Sequence, residues 1–184
     1  VKVVCFGDSI TEGQYSDVAW PEFLQGVEAV NKGVSNDTTR MMLERFPTDV
    51  QQQKASVVVI QAGHNDANRW ETDRGLPRVS ADAYGANLRE MAHRVRVFGA
   101  TPVFCTITPT HTTAAYAEDV EFYNTILERV ARSEDVLLSD VRVAFSGQDL
   151  ELLLLADGLH LSAEGHELYA TCVQQALAPL AVFA

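Results

Sequence analysis

Short apolar runs that do not alternate with polar residues recur through this chain, the clearest being the β-branched stretch Val57-Val58-Val59-Ile60. A strand of that kind hides both of its faces, and sheets covered on both faces are built from parallel strands joined by helices. Strands are predicted at Val3 to Phe6, Val27 to Val30, Ser56 to Gln61, Pro102 to Ile107 and Asp135 to Leu138. Between them run helical patterns: Tyr84, Leu88, Met91, Val95 and Phe98 step by four and three, as do Val120, Tyr123, Leu127 and Val130. A last helix is expected from about Ala163 to Leu180 behind an N-cap at Ser162, with Tyr169, Cys172, Val173, Ala176, Leu177 and Leu180 on its inner face. Strands separated by helices imply right-handed βαβ units, hence a three-layer α/β/α domain around a five-stranded parallel sheet. With 184 residues, one domain spanning 1–184 is expected.

Charge and cysteine usage narrow the partners. Asp and Glu total 25 against 14 Lys and Arg, and the formal charge of -11 repels phosphate backbones and anionic lipid surfaces. Nucleic acid is not an expected partner, and no apolar run is long enough to cross a bilayer, so no integral membrane association is expected. Cys5, Cys105 and Cys172 sit in apolar settings without a C-x-x-C spacing, which reads as buried thiols rather than a metal or redox site. The first residues already read as a strand, so no signal peptide is expected. A cytoplasmic location follows, with a trimmed secreted form as the alternative.

Four segments fall at predicted strand ends or helix starts, where open α/β sheets put their chemistry. Gly7-Asp8-Ser9-Ile10 follows the first strand and presents a serine, with Gly7 expected to provide a sharp turn. Asp157-Gly158-Leu159-His160 sets a carboxylate three residues before an imidazole. In a compact turn Asp157 can reach His160 Nδ1 and leave Nε2 free as a base for a hydroxyl. Asn31-Lys32-Gly33 and Gly63-His64-Asn65-Asp66 follow the second and third strands and offer donors: the Gly33 N–H, the Asn65 amide and the Ser9 N–H suit an oxyanion. Each segment also has a plainer reading, as a helix cap, a turn-stabilising aspartate, a glycine loop or an Asx turn.

Taken together and in order, the four segments resemble the signature blocks of the SGNH hydrolases, also called GDSL esterases and lipases. The likeness runs from Val3 to about Leu168 and includes Val30-Asn31, Thr38-Thr39 and Tyr123-Asn124. The resemblance implies a flavodoxin-like sheet of order 2-1-3-4-5 and a Ser-His-Asp mechanism without metal or cofactor. It makes Ser9 the nucleophile, His160 the base, Asp157 its partner, and Ser9, Gly33 and Asn65 the oxyanion hole. At position 36, where the family often has glycine, stands Asn36, which tolerates a left-handed backbone. His64 and Leu161 occupy a variable place and a frequent proline place. The absence of Gly-x-Ser-x-Gly around Ser9 separates the chain from the larger α/β-hydrolase class.

The expected reaction is hydrolysis of small-molecule acyl esters, of short chain or of carbohydrates and small alcohols. A lysophospholipase or acyl thioesterase of the same family is the alternative, and a noncatalytic small-ligand module is the competitor from another class. The long connection Ala62 to Val79 is expected to shape the site. Its Arg69, Trp70, Arg74 and Arg78 either bind an anionic or sugar-bearing group or pair with Glu71, Asp73 and Asp82 to pin the loop. His64, Arg69, Trp70 and His111 are the candidate substrate contacts, Tyr116 a further wall residue, while His93 and His166 read as surface or packing residues. The sequence leaves the oligomeric state open.

Overall fold

The strand register accounts for the missing alternation. In the computed structural model, which describes residues 1–180, β1 (Lys2–Gly7), β2 (Glu28–Gly33), β3 (Val57–Gln61), β4 (Thr101–Cys105) and β5 (Leu137–Ser139) form one sheet. All pairs are parallel, in the order β2-β1-β3-β4-β5 that the family resemblance implies. Val4, Phe6, Val58, Ile60 and Phe104 point to one face, and Val3, Cys5, Val57, Val59, Val103 and Cys105 to the other. Successive side chains alternate across a strand, so a run that is apolar at every position needs cover on both faces.

That cover comes from the helices. α1 (Ser9–Glu12) follows β1, and α2 (Thr39–Asp49) buries Met42 and Phe46, the latter edge-on to Phe6 with centroids 5.8 Å apart. After the short α3 (His64–Ala67), α4 (Ala81–Val97) and α5 (Ala114–Ser133) complete the first layer with the two predicted apolar stripes, save that Phe98, expected to continue the first, lies just past the end of α4 and is exposed. The other face is closed by α6 (Val141–Ser146), α7 (Leu150–Leu153) and α8 (Ala163–Leu177), through Val141, Phe145, Leu153, Tyr169, Val173 and Leu177. Each of those large side chains contributes on the order of 1.5–3 kcal/mol when buried.

Several boundaries differ from the sequence expectation, each for a local reason. β2 continues past Val30 because its pairing with β1 runs on to Gly7 and Gly33. As an edge strand, half-buried or exposed along its length, it tolerates Asn31 and Lys32. β5 starts at Leu137 rather than Asp135, whose φ of 51° is left-handed and not extended. α2 has only three buried positions, too narrow a stripe to announce itself by periodicity. Ser162 does cap α8, accepting the Gly165 N–H at 3.0 Å, but the α-helix ends at Leu177 and a 3-10 turn, Ala178–Leu180, follows around Pro179. The expected domain reaches Ala184, and its residues 181–184 lie outside the described residues. Among the described residues no helix is long and apolar enough to cross a membrane. All three cysteines are free, Cys5 and Cys105 buried and Cys172 half-buried.

The connection from Ala62 to Val79 is folded rather than slack. It contains α3, a 3-10 turn at Glu71–Asp73 and an antiparallel bridge between Arg69 and Pro77. Its two ends are tied by Arg78 N–H to Asn68 O at 3.0 Å and Val79 N–H to Asp66 O at 3.2 Å.

Candidate active site

The carboxyl ends of β1, β2 and β3 converge beside the turn that precedes α8. Ser9 is the first residue of α1, and the cap is Asp8, whose Oδ1 accepts the Ile10 N–H at 3.0 Å. Ser9 Oγ is therefore free of capping work. Asp8 N–H and Thr11 Oγ1 both donate to Gln61 Oε1, at 3.1 and 2.8 Å, which locks the start of α1 to the end of β3. Gly7 is required by this packing and not by a left-handed turn: it is not among the positive-φ residues, and a Cβ there would collide with Thr11 Oγ1 and Gln61.

His160 Nε2 lies 3.0 Å from Ser9 Oγ, and His160 Nδ1 lies 2.6 Å from Asp157 Oδ2. The other carboxylate oxygen, Asp157 Oδ1, accepts the Leu159 and His160 N–H groups at 3.0 and 2.9 Å. Burial works to raise the Asp157 carboxyl, but the hydrogen bonds from the His160 ring and from the two backbone donors outweigh it and hold the group below its ordinary range. The turn itself is fixed by Gly158 at φ 69° and by the Leu154–Leu161 bridge. The Gly158 carbonyl accepts from His111 N–H and Thr110 Oγ1, both at 2.8 Å. Tyr15, exposed and held at φ 66°, stands edge-on to His160 with centroids 5.0 Å apart.

Asn65, in α3, sends Nδ2 toward Asp8 Oδ2 at 3.4 Å and receives Arg78 Nη1 on Oδ1 at 3.2 Å. Asp66 behind it accepts the Thr39 N–H at 3.1 Å and the Thr39 hydroxyl, joining α3 to the start of α2. Burial raises Asp8 to about 6 and Asp66 to about 6, each opposed by the hydrogen bonds it accepts.

Several expected roles change. Gly33 ends β2 opposite Gly7, and a Cβ on it would overlap the Glu12 backbone nitrogen, so glycine is needed for β2 to pass α1. Its N–H is bonded to Asn31 Oδ1 at 2.9 Å, and so is not the free donor expected of it. His64 does not face a substrate: it is buried, with Nδ1 3.1 Å from Tyr116 Oη and Nε2 2.9 Å from Thr108 Oγ1. Because the Tyr116 hydroxyl donates to His64 O at 2.8 Å, it accepts from Nδ1–H, and Nε2 accepts from Thr108. Burial, then the nearby His160, push His64 down to about 3, so it is neutral at neutral pH.

Arg69 is occupied by Asp119, with Nε and Nη2 at 2.6 and 2.9 Å from the two carboxylate oxygens, and by Gly75 O at 2.9 Å. Arg78 stacks on Trp70 at 4.2 Å and donates to Asn36 O at 3.1 Å. For Arg69 and Arg78 the expected pairing with Glu71, Asp73 and Asp82 thus gives way to other partners, chiefly Asp119 for Arg69 and Asn36 and Asn65 for Arg78, while Arg74 is exposed. A cavity of about 420 Å³ lies among Asn68, Arg69, Thr112, Tyr116, Asp119 and Leu159. His111 is exposed and lines a second cavity, of about 600 Å³, with Asp157. His166 is a packing residue whose Nδ1 accepts the Trp20 N–H at 3.2 Å, and His93 is on the surface. Among the described residues no group of three or more His, Cys, Asp or Glu is arranged to hold a metal ion.

Sequence reasoning passed over Tyr15, Gln61 and the tie from Arg78 to Asn65. Only Gln61 left a signal, as a polar residue closing an otherwise apolar strand.

The fold and this edge of the sheet define a class, the flavodoxin-like esterase domains, and residues 5–168 match the model of the GDSL-like Lipase/Acylhydrolase family. The chain belongs to that family of carboxylic ester hydrolases. An uncharacterized lipoprotein, YqeF, of Bacillus subtilis (strain 168) is 34% identical over 119 residues, covering 58% of this chain and 48% of the lipoprotein. The chain thus spans about half the length of that relative. An acetylxylan esterase of Geobacillus stearothermophilus is 28% identical over 165 residues, covering 82% of this chain and 71% of the esterase. The crystal structure of a lipase/acylhydrolase from Enterococcus faecalis superposes with a TM-score of 0.81 at 24% identity, covering 97% of this chain and 96% of that one, a likeness of fold.

Proposed function

We propose that the chain hydrolyses short acyl esters of carbohydrates or other small alcohols through an acyl-enzyme on Ser9. The observation that carries this reading is the unbroken series Ser9 Oγ, His160 Nε2, His160 Nδ1, Asp157 Oδ2, with separations of 3.0 and 2.6 Å between side chains. His160 takes the proton of Ser9 Oγ as the oxygen attacks the ester carbonyl, and Asp157 stabilises the imidazolium. The proton then passes from His160 Nε2 to the departing alcohol. Water enters, gives its proton to His160 and its oxygen to the acyl carbon, and the carboxylic acid leaves as Ser9 regains its proton.

The oxyanion is held by the Ser9 N–H and by Asn65 Nδ2, one of whose hydrogens is directed to Asp8 and the other left for substrate. The third donor is the Asn36 N–H rather than that of Gly33. Asn36 holds the left-handed φ of 66° that a glycine would adopt readily, and among the described residues its N–H has no protein acceptor. The notion of a carbohydrate or small alcohol draws on the cavity of about 420 Å³, where Asn68, Arg69, Thr112 and Asp119 surround the apolar surface of Tyr116 and Leu159. Sugar rings offer that combination of hydroxyls and apolar faces, and a long acyl chain does not. The acetylxylan esterase relative points the same way. A cytoplasmic location is part of this reading; the relative described as a lipoprotein makes export the competitor, which cell fractionation separates.

The test is a panel of p-nitrophenyl esters from acetate to palmitate, with acetylated xylo-oligosaccharides and acetyl-CoA, run on the wild type and Ser9→Ala. Acetyl esters should turn over fastest, with Ser9→Ala at the buffer rate. Preference for palmitate, or equal rates for the two proteins, contradicts the proposal.

A further inference from the structure

The oxyanion donors assigned above are useful only if they are held in one orientation, and for Asn65 the hold is asymmetric. Its amide has two ends of nearly equal size, one an acceptor and one a donor. Asp8 Oδ2 reaches the Nδ2 end at a long 3.4 Å. At the other end stands Arg78, whose Nη1 is 3.2 Å from Oδ1 and 3.1 Å from the Asn36 carbonyl. A guanidinium has five donors and no acceptor, so the amide end beside it is the oxygen.

We propose that Arg78 is a positioning residue for the esterase site, fixing the Asn65 amide and the turn bearing Asn36 in the orientation that presents both N–H groups to the oxyanion. This inference rests on the ester-hydrolysis reading. Arg78 touches neither Ser9 nor His160, and acts through Asn65 and Asn36. If Arg78 is removed, the amide is held only by the 3.4 Å contact to Asp8. Rotation by half a turn would then set Oδ1, an acceptor, against the developing negative oxygen. The same loss frees the Asn36 carbonyl, and with it the turn closed by Asp37 N–H to Val34 O at 3.2 Å.

The rest of the connection is built to hold Arg78 still. Its guanidinium lies 4.2 Å from the centroid of the ring of Trp70, a residue 43% exposed, so the stack covers the guanidinium from one side without enclosing it. The Arg69–Pro77 bridge and the Arg69–Asp119 pair fix the residues next to Trp70 and Arg78 in the chain. Of the basic and aromatic residues in this connection, Arg78 thus has a structural assignment: its guanidinium is turned to the two asparagines, while Arg69 is held by Asp119.

The experiment compares kcat and KM for p-nitrophenyl acetate in the wild type, Arg78→Ala, Asn65→Ala and the double variant, with melting temperatures. Arg78→Ala should lower kcat by about 10- to 100-fold, less than or equal to the loss from deleting an oxyanion donor outright, with KM within about twofold. Because Arg78 acts through Asn65, the double variant should be no more than about threefold slower than Asn65→Ala, the remainder reporting the Asn36 arm. An Arg78→Ala enzyme with kcat within about twofold of the wild type overturns the proposal, as does a double variant whose losses multiply in full. Should Arg78→Ala fail to fold, Trp70→Ala leaves the partners of Arg78, Asn65 and Asn36, in place and removes the stack. It should lower kcat about threefold at unchanged KM and melting temperature, and an unchanged kcat overturns the proposal. A wild type with no turnover, or one matched by Ser9→Ala, sinks the hydrolase reading itself; an active wild type with an indifferent Arg78 sinks only this one.

Discussion

Asp8 caps the helix that Ser9 begins: its Oδ1 takes the Ile10 N–H at 3.0 Å, and the serine hydroxyl is left to His160. The arrangement has a cost, because the capping carboxylate is fully buried and its pKa rises from 3.8 to about 6, chiefly by desolvation. A carboxyl whose folded pKa is raised loses stability as pH climbs from the unfolded to the folded value, and the loss is complete above both. Asn caps as well as Asp without a charge. The stability of Asp8→Asn relative to wild type should therefore grow between pH 3 and pH 8, by on the order of 3 kcal/mol at most. Urea unfolding at several pH values reads it, and a pH-independent difference contradicts the assignment.

Asp157→Asn should preserve the turn and abolish its chemistry. An asparagine oxygen can still accept the Leu159 and His160 N–H groups, now held at 3.0 and 2.9 Å by Oδ1. The amide nitrogen then faces His160 Nδ1, where only an acceptor is tolerated, and the ring adopts the tautomer with its proton on Nε2. That tautomer cannot take a proton from Ser9. kcat should fall by about 10²–10⁴-fold with a melting temperature close to wild type.

Gly33→Ala separates a packing role from a donor role. Alanine keeps the N–H that bonds Asn31 Oδ1, but its Cβ would enter the Glu12 backbone, which has no side-chain freedom with which to yield. Thermal unfolding should show a loss of roughly 1–3 kcal/mol or more. A variant of wild-type stability that has lost activity would return Gly33 to the oxyanion hole.

Much of this was legible in the sequence, for physical reasons. Val57 to Ile60 reports burial on both sheet faces, and Val120, Tyr123, Leu127 and Val130 report a single buried helix stripe, since both signals are local. The three-residue spacing of Asp157 and His160 is likewise local, and it leads to the observed 2.6 Å contact. What stayed hidden depends on partners far away in the chain. Arg69 finds Asp119 and Arg78 finds Asn36 because the sheet brings those elements together, and nothing near positions 69 or 78 encodes it. Gly33 is glycine on account of Glu12, a neighbour only once β2 lies beside β1. Tyr15 adopts φ 66° without being Gly or Asn, so composition gave no warning of its place beside His160.

The central claim is that Ser9 Oγ is a nucleophile activated by His160. The most direct measurement is intact-mass and peptide mapping after treatment with a fluorophosphonate, which reports covalent capture irrespective of the natural substrate. One adduct per chain should appear on the peptide containing Ser9, absent from Ser9→Ala and strongly slowed in His160→Ala. No adduct on the folded wild type, or an adduct on another residue, would contradict the account.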